Sequence, residues 1–178
     1  MNEIEIEKVR LSDIGELQNI SIKTFSDTFS AANTRENMKK YIDENFSFKK
    51  LTEELNDENA EFYFARLDGV PVGYLKLNYG KSQTEMKMEN ALEIERIYVV
   101  SEYHGKGIAQ FLYNKAMERG RDKNADYIWL GVWEENHRAI RFYKKNDFVE
   151  FDKHIFRLGN DEQTDLMMKL QLKENTKG

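Results

Sequence analysis

Between Leu92 and Arg121 the chain leaves a run rich in isoleucine and valine, crosses a short glycine-containing turn and enters a segment of helical periodicity. Leu92 to Val100 has the β-branched content of a strand and breaks at Ser101. From about Gly107 to Arg121, Ile108, Phe111, Leu112 and Ala116 recur at helical spacing and predict an inward face. A strand leading directly into a helix calls for a sheet with helices packed on its faces. The turn itself, His104-Gly105-Lys106-Gly107-Ile108-Ala109, places glycines at a helix start. Glycine lets a backbone approach a ligand closely, and a helix N-terminus offers free N–H groups at its positive dipole end, so the pair suits a pyrophosphate. A plain strand–helix turn would look the same in isolation. Neither a G-x-G-x-x-G dinucleotide loop nor a Walker loop fits, because Gln110 holds the third glycine position and no G-K-[ST] follows.

The rest of the chain extends this layout. Glu3 to Leu11 reads as a first strand, with Ser12 as a helix N-cap and Asp13 and Glu16 in the first turn. Ile14, Leu17, Ile20 and Phe25 then mark one helix, Met38, Tyr41 and Ile42 a second from about Arg35, and Phe48, Leu51 and Leu55 a third. Glu61 to Asn78 reads as a hairpin turning at Asp68-Gly69. Tyr127 to Trp133 is a strand, Asn136 to Asn146 a short helix, and Phe148 to Phe151 and Thr164 to Leu172 supply the last strands. The expected fold is α/β, a mixed sheet of about six or seven strands flanked by helices. One domain is expected over residues 1–172, with a frayed polar tail at 173–178.

Composition removes several function classes. With no cysteine there is no disulfide, no thiolate metal site and no cysteine nucleophile. His104, His137 and His154 lack ligand spacing, so no metal site is expected. A net charge of −5 argues against nucleic acid and favours a cationic small molecule. No apolar run is long enough to span a membrane, and MNEIEIEKVR has no signal-peptide core, so a cytoplasmic location is expected. Whether the chain is a monomer or a homodimer stays open.

Two motifs carry a resemblance. "RIYVVSEYHGKGIA" is similar to the "LYVxPxYRGKGIG" run of the GNAT acetyltransferases, and its HGKGIA to their [Q/R]-x-x-G-x-[G/A] pyrophosphate loop. "WLGVWEENHRAIRFYKKNDF" resembles their L-x-V-x-x-x-N-x-x-A-x-x-x-Y-x-K-x-G-F, matched at Asn136, Ala139, Phe142, Tyr143, Lys145 and Phe148. The chain departs at His104, where arginine or glutamine is usual, and at Asp147, where glycine is usual. Aspartate tolerates left-handed backbone better than most residues, so the helix exit is expected to form. "TFSDTF…NTRENMKKYI", "LEIERIYV" and "DEQTDLMM" extend the resemblance over almost the whole chain to the bacterial PaiA-type spermidine/spermine N-acetyltransferases.

The resemblance implies splayed central strands and acetyl-CoA as cosubstrate, held by Ile97, Tyr98, Val99, the loop His104 to Gln110 (Gly105, Lys106, Gly107, Ile108 and Ala109 between them), Asn136, Ala139, Phe142, Tyr143 and Lys145. Tyr143 falls where the family has a phenol near the coenzyme sulfur; a core aromatic is the plain alternative. Asn136 suits both an arm contact and an ordinary N-cap. Glu93 and Glu95 alternate with Ile97 and Val99 and are expected on one strand face. Glu95 has the offset of a base candidate in related polyamine enzymes; it could equally hold a substrate charge or form a salt bridge with Arg96 or a neighbouring strand. Thr28, Phe29, Tyr41 and Glu44 are expected to form a wall of the amine groove. Trp129 and Trp133 read as sheet and core residues. The activity implied is direct acetyl transfer to a primary amine, with a polyamine first, another amine such as a protein N-terminus or small toxic amine second, and a non-catalytic coenzyme A sensor third.

Overall fold

A computed structural model describes residues 3–85 and 89–173. Seven strands form one sheet: β1 (Ile4–Lys8), β2 (Ala60–Leu67), β3 (Val70–Tyr79), β4 (Ala91–Val99), β5 (Tyr127–Trp133), β6 (Val149–Leu158) and β7 (Asp161–Gln171), in the spatial order β1-β2-β3-β4-β5-β7-β6. Neighbours are antiparallel except β4 and β5. The helices are α1 (Ile14–Phe29), α2 (Arg35–Asn45), α3 (Phe48–Leu55), α4 (Ile108–Asp122) and α5 (His137–Lys145). Residues 174–178 of the expected tail lie outside the described residues.

Each face of the sheet has its own core. On one, Ile108, Leu112 and Ala116 of α4 and Ile140 and Tyr143 of α5 pack on Leu75, Leu77, Leu92, Ile94, Leu130 and Val132. On the other, Leu17, Ile20 and Phe25 of α1, Met38 of α2 and Leu51 of α3 pack on Phe62, Phe64 and Tyr74. Side-chain caps fix the short helices: Thr34 accepts from Asn37 N–H, Ser47 from Lys50 N–H and Asn136 from Ala139 N–H. Among the described residues no helix is long and apolar enough to cross a membrane.

Two irregularities shape the site. The parallel pairing of β4 with β5 ends at Ile94 with Leu130, while β4 runs on to Val99 and β5 to Trp133. The two strands fork. In β4 the register against β3 steps from Ile94 opposite Leu77 to Arg96 opposite Lys76, so Glu95 is the extra residue of a bulge.

That bulge corrects the expected alternation. Ile97 and Val99 pack with the α4-side core, whereas Glu93 and Glu95 face the other side with Asn78 and Lys76. An inserted residue reverses the pleat beyond it. Other expectations also shift. The first strand stops at Lys8, and Asp13 rather than Ser12 directly precedes α1, its carboxylate accepting the Arg10 N–H at 2.9 Å. Phe111, expected inward on the fourth helix, is exposed, as is Phe48 on α3. β6 runs seven residues past the expected Phe151 to Leu158, and Gly159, at φ +62°, turns it into β7.

Candidate active site

The glycine turn forms the mouth of a cavity of about 650 Å³ under the fork. Gly105 and Gly107 both have φ of +78°, and a Cβ on either would meet nothing within 4 Å. Glycine is therefore required by conformation, and the space before it is open. Ile97, Tyr98 and Val99 line one wall, Trp133 of β5 another, and Asn136, Ala139, Phe142, Tyr143 and Lys145 of α5 a third. Beyond Ile94 the β4 edge has no pairing to β5, which leaves backbone free to pair with an extended ligand. A left-handed glycine loop at the α4 N-terminus and an open strand edge fit the pyrophosphate and the amide arm of coenzyme A.

His104 lines this cavity and also makes a structural contact. Its Nε2 lies 2.7 Å from the Val99 carbonyl oxygen, tying the loop to the end of β4. Lys106 stands with Nζ 5.1 Å from the Tyr103 ring centroid and lies outside the cavity lining. Asp147, in the family's glycine position, adopts φ +69°, so the exit of α5 forms with aspartate as expected.

A second cavity, about 280 Å³, opens on the opposite side of the fork and shares Ile97, Tyr98, Trp133, Asn136, Ala139 and Tyr143 with the first. Its remaining walls are mainly aromatic and ionisable: Phe25, Phe29, Tyr41, Phe46, Trp129 and Phe156, with the carboxylates of Glu93, Glu95 and Asp165 beside Arg96 and His154. Phe25 and Tyr41 stack at 4.3 Å, and Phe29 lies 5.3 Å from Trp133. Burial pushes the Tyr41 phenol up to about 12, with Arg96 opposing. Tyr143, 5% exposed, sits where the cavities meet. Burial holds its phenol well above the ordinary value, so it keeps its proton at any working pH.

The three carboxylates differ in their surroundings. Glu93 is raised by burial despite accepting from Asn78 Nδ2 at 3.0 Å and from Thr84 N–H at 2.7 Å. Burial also works to raise Glu95, but Arg96 and Lys76 overcome it and hold the carboxyl below its usual value. Lys76 bridges Glu95 and Glu54, the latter at 3.1 Å, and Arg96 reaches Glu54 at 3.4 Å. Of the roles open to Glu95, the salt bridge to a neighbouring strand is thus formed. Asp165 is pushed up to about 6 by burial, partly offset by His154, whose Nε2 is 3.5 Å from Oδ2. Glu85 Oε1 lies 3.2 Å from the other nitrogen of His154.

The structure thus gathers the expected cofactor residues apart from Lys106, and divides the expected amine wall. Phe29 and Tyr41 line the smaller cavity. Thr28 faces the larger one, its hydroxyl bonded to the Thr24 carbonyl at 2.8 Å. Glu44 is exposed on α2 and lines neither, because the inward stripe of that helix is Met38, Tyr41 and Ile42. Trp129 is buried, with Nε1 donating to Gln83 Oε1 at 2.7 Å, and also lines the smaller cavity, whereas Trp133, expected in the core, lines both cavities. Sequence reading missed Phe25, Phe46, His154, Phe156 and Asp165 as cavity residues. The alternation of His154 with Phe156 was their one local signal, and it lay in a stretch not recognised as strand.

Known proteins agree with this geometry. The pattern of the Acetyltransferase (GNAT) family matches residues 17–148. An uncharacterised N-acetyltransferase of Lactobacillus delbrueckii subsp. lactis is 38% identical over 172 residues, 97% of this chain and 99% of the relative. One from Mycobacterium tuberculosis is 32% identical over 162 residues, 91% of this chain and 99% of the relative. The solved structure of the PaiA N-acetyltransferase of Thermoplasma acidophilum in complex with coenzyme A shares the fold, with a TM-score of 0.78 over 95% of this chain and 99% of that one at 24% identity. With the family pattern over most of its length and these relatives end to end, the chain belongs to the GNAT acetyltransferases, as an N-acetyltransferase that uses acetyl-CoA.

Proposed function

We propose that the chain acetylates a primary amine of a polyamine, spermidine or spermine, by direct transfer in a ternary complex. The observation that carries this reading is the smaller cavity, where aromatic rings and three carboxylates surround the fork. Rings suit the methylene chain of a polyamine and carboxylates its ammonium groups. The coenzyme A complex of the PaiA structure supports seating acetyl-CoA in the larger cavity. Acetyl-CoA supplies the activated acetyl thioester.

The chain's residues have distinct tasks in this reading. The glycine loop and the α4 N-terminus hold the pyrophosphate. The unpaired edge of β4 from Ile97 to Val99 aligns the arm, and Asn136 both caps α5 and faces it. Tyr143 gives a proton to the departing sulfur. Glu95, kept ionised by Arg96 and Lys76, is a fixed negative charge opposite the cationic substrate. An acetyl-CoA assay across polyamines, N-terminal peptides and small toxic amines tests the assignment. Acetylation of spermidine or spermine in preference to the others is expected. Brisk turnover of other amines with both polyamines untouched would overturn the polyamine reading, and coenzyme binding without turnover would favour a sensor.

A further inference from the structure

Gly131 is the first residue of β5 beyond the last β4–β5 pair, so it marks the apex of the fork. A Cβ there would be in van der Waals contact with both groups, 3.4 Å from His154 Cε1 and 3.5 Å from Asp165 Oδ2, so His154 and Asp165 lie directly over the apex. Strand register brings these groups together, since His154 lies opposite Asp165 across β6 and β7, and Asp165 opposite Trp133 across β7 and β5. Glu95, the bulge residue of β4, faces the same cavity from the other prong. One carboxylate thus faces the cavity from the β4 prong and another from β7, the strand paired with the β5 prong.

Resting on the assignment of this cavity to the amine, we propose that Asp165, with His154 behind it, accepts the proton released by the attacking nitrogen. The nitrogen lone pair forms the C–N bond to the acetyl carbon, and the C–S bond breaks with its electron pair leaving on sulfur. The proton of the nitrogen passes to the Asp165 carboxylate, and the Tyr143 phenol gives its proton to the sulfur. Charge balances, because one carboxylate becomes neutral as one phenol becomes phenolate; both recover by proton exchange with solvent.

The two carboxylates differ in the property that matters. Glu95 is paired with Lys76 beside Arg96 and favours its charged form, which makes it a weak proton acceptor. Asp165 sits near 6 because burial outweighs His154, and a carboxyl near neutrality is the better acceptor. Paired carboxylates pushed apart by their environments mark a division of roles. The other ionisable groups facing this cavity are Glu93, Arg96 and Tyr98 from β4, Tyr41 from α2 and Tyr143 from α5. Glu85 contacts the far side of His154.

The test compares wild type with Asp165→Asn in two ways. The first is kcat/KM from about pH 5 to about pH 9 for two amines of different basicity at saturating acetyl-CoA. Wild type is expected to show a limb near pH 6 that stays in place between amines, above which a shallower limb moves with the basicity of the amine. In Asp165→Asn the fixed limb should vanish and the rate fall by about 10²–10⁴-fold. The second readout is thermal melting of the free protein. Ionising a buried aspartate costs stability as pH rises from the unfolded value, about 4, through the folded value, about 6. Asp165→Asn should therefore melt higher than wild type at pH 8 and alike at pH 4. Persistence of the fixed limb in the variant, or a lower melting temperature at pH 8, would overturn the role of Asp165. If wild type binds acetyl-CoA yet acetylates no amine, the assignment of the cavity fails, and that failure is visible without the variant.

Discussion

The two cavities that meet at the fork are built from different materials. The larger is organised by backbone: a left-handed glycine turn, a helix N-terminus and an unpaired strand edge, all within residues 97–110, with side chains of α1, Trp133 and one face of α5 closing it. The smaller is made of side chains from α1, α2, β4, β5, α5, β6 and β7, which converge only through the tertiary fold. A backbone site tolerates exchange of many side chains and is intolerant of changes in conformation. A side-chain site is the reverse. The contrast explains why His104 and Asp147 can depart from the family pattern while the loop and the exit of α5 keep their shape.

Tyr143 belongs to both cavities, so its hydroxyl offers the sharpest break between them. Tyr143→Phe keeps the ring that packs 5.5 Å from Phe142 and 5.6 Å from Phe148. We expect kcat to fall by about 10²–10⁴-fold with acetyl-CoA affinity within a few-fold of wild type. A wild-type rate, with chemistry shown to be rate-limiting, would remove the acid role.

Gly107→Val attacks the backbone site. Valine at φ +78° pays roughly 1–2 kcal/mol for left-handed backbone, and its side chain projects into space now open to the ligand. Together with one lost hydrogen bond to a charged group, acetyl-CoA affinity should drop about 100-fold. Calorimetry on folded protein measures this, and unchanged affinity would move the pyrophosphate elsewhere.

Glu95→Gln attacks the side-chain site. It leaves Lys76 and Arg96 facing Glu54 alone, so the pocket turns more positive towards a cation. We expect kcat/KM for spermidine to fall about tenfold or more, roughly 1.4 kcal/mol, while acetyl-CoA binding is kept. Parallel loss of both would show that Glu95 chiefly holds the fork together.

The same division decides what was legible in the sequence. The order of elements along the chain, the five helices and nearly all of the residues expected around the larger cavity came from periodicity and two motifs, because a left-handed turn at a helix start calls for glycine at fixed local spacing. The smaller cavity was read poorly. Glu93 and Glu95 were found, but strict alternation put them on the face of Ile97 and Val99, since a bulge at Glu95 has no sequence signature. Glu44 was chosen for its charge, although its place on the helix turns it to solvent. His154 and Asp165 are eleven residues apart and meet through the β6–β7 hairpin. The charged run from Asp152 to Arg157 hid that strand, because a strand largely exposed along its length lacks the apolar alternation by which strands are recognised.

The smallest expected effect separates conformation from chemistry at the exit of α5. Asp147 holds φ +69°, where a non-glycine residue is strained, and it lies just past the C-terminus of a helix, where a negative charge opposes the dipole. Asp147→Gly removes both penalties but gives the unfolded chain more freedom, which takes back roughly 0.5–1 kcal/mol. The net gain should be at most about 1 kcal/mol, a rise in Tm of about 2–4 °C. Asp147 lines neither cavity, so kinetic constants for both substrates should stay within about twofold of wild type. The backbone bonds that close the exit, Phe148 N–H to the Tyr143 carbonyl at 3.0 Å and Asp147 N–H to the Lys144 carbonyl at 3.1 Å, do not depend on the side chain. A loss of stability would show that the aspartate side chain, and not only its backbone, secures the turn that holds Tyr143 between the two cavities.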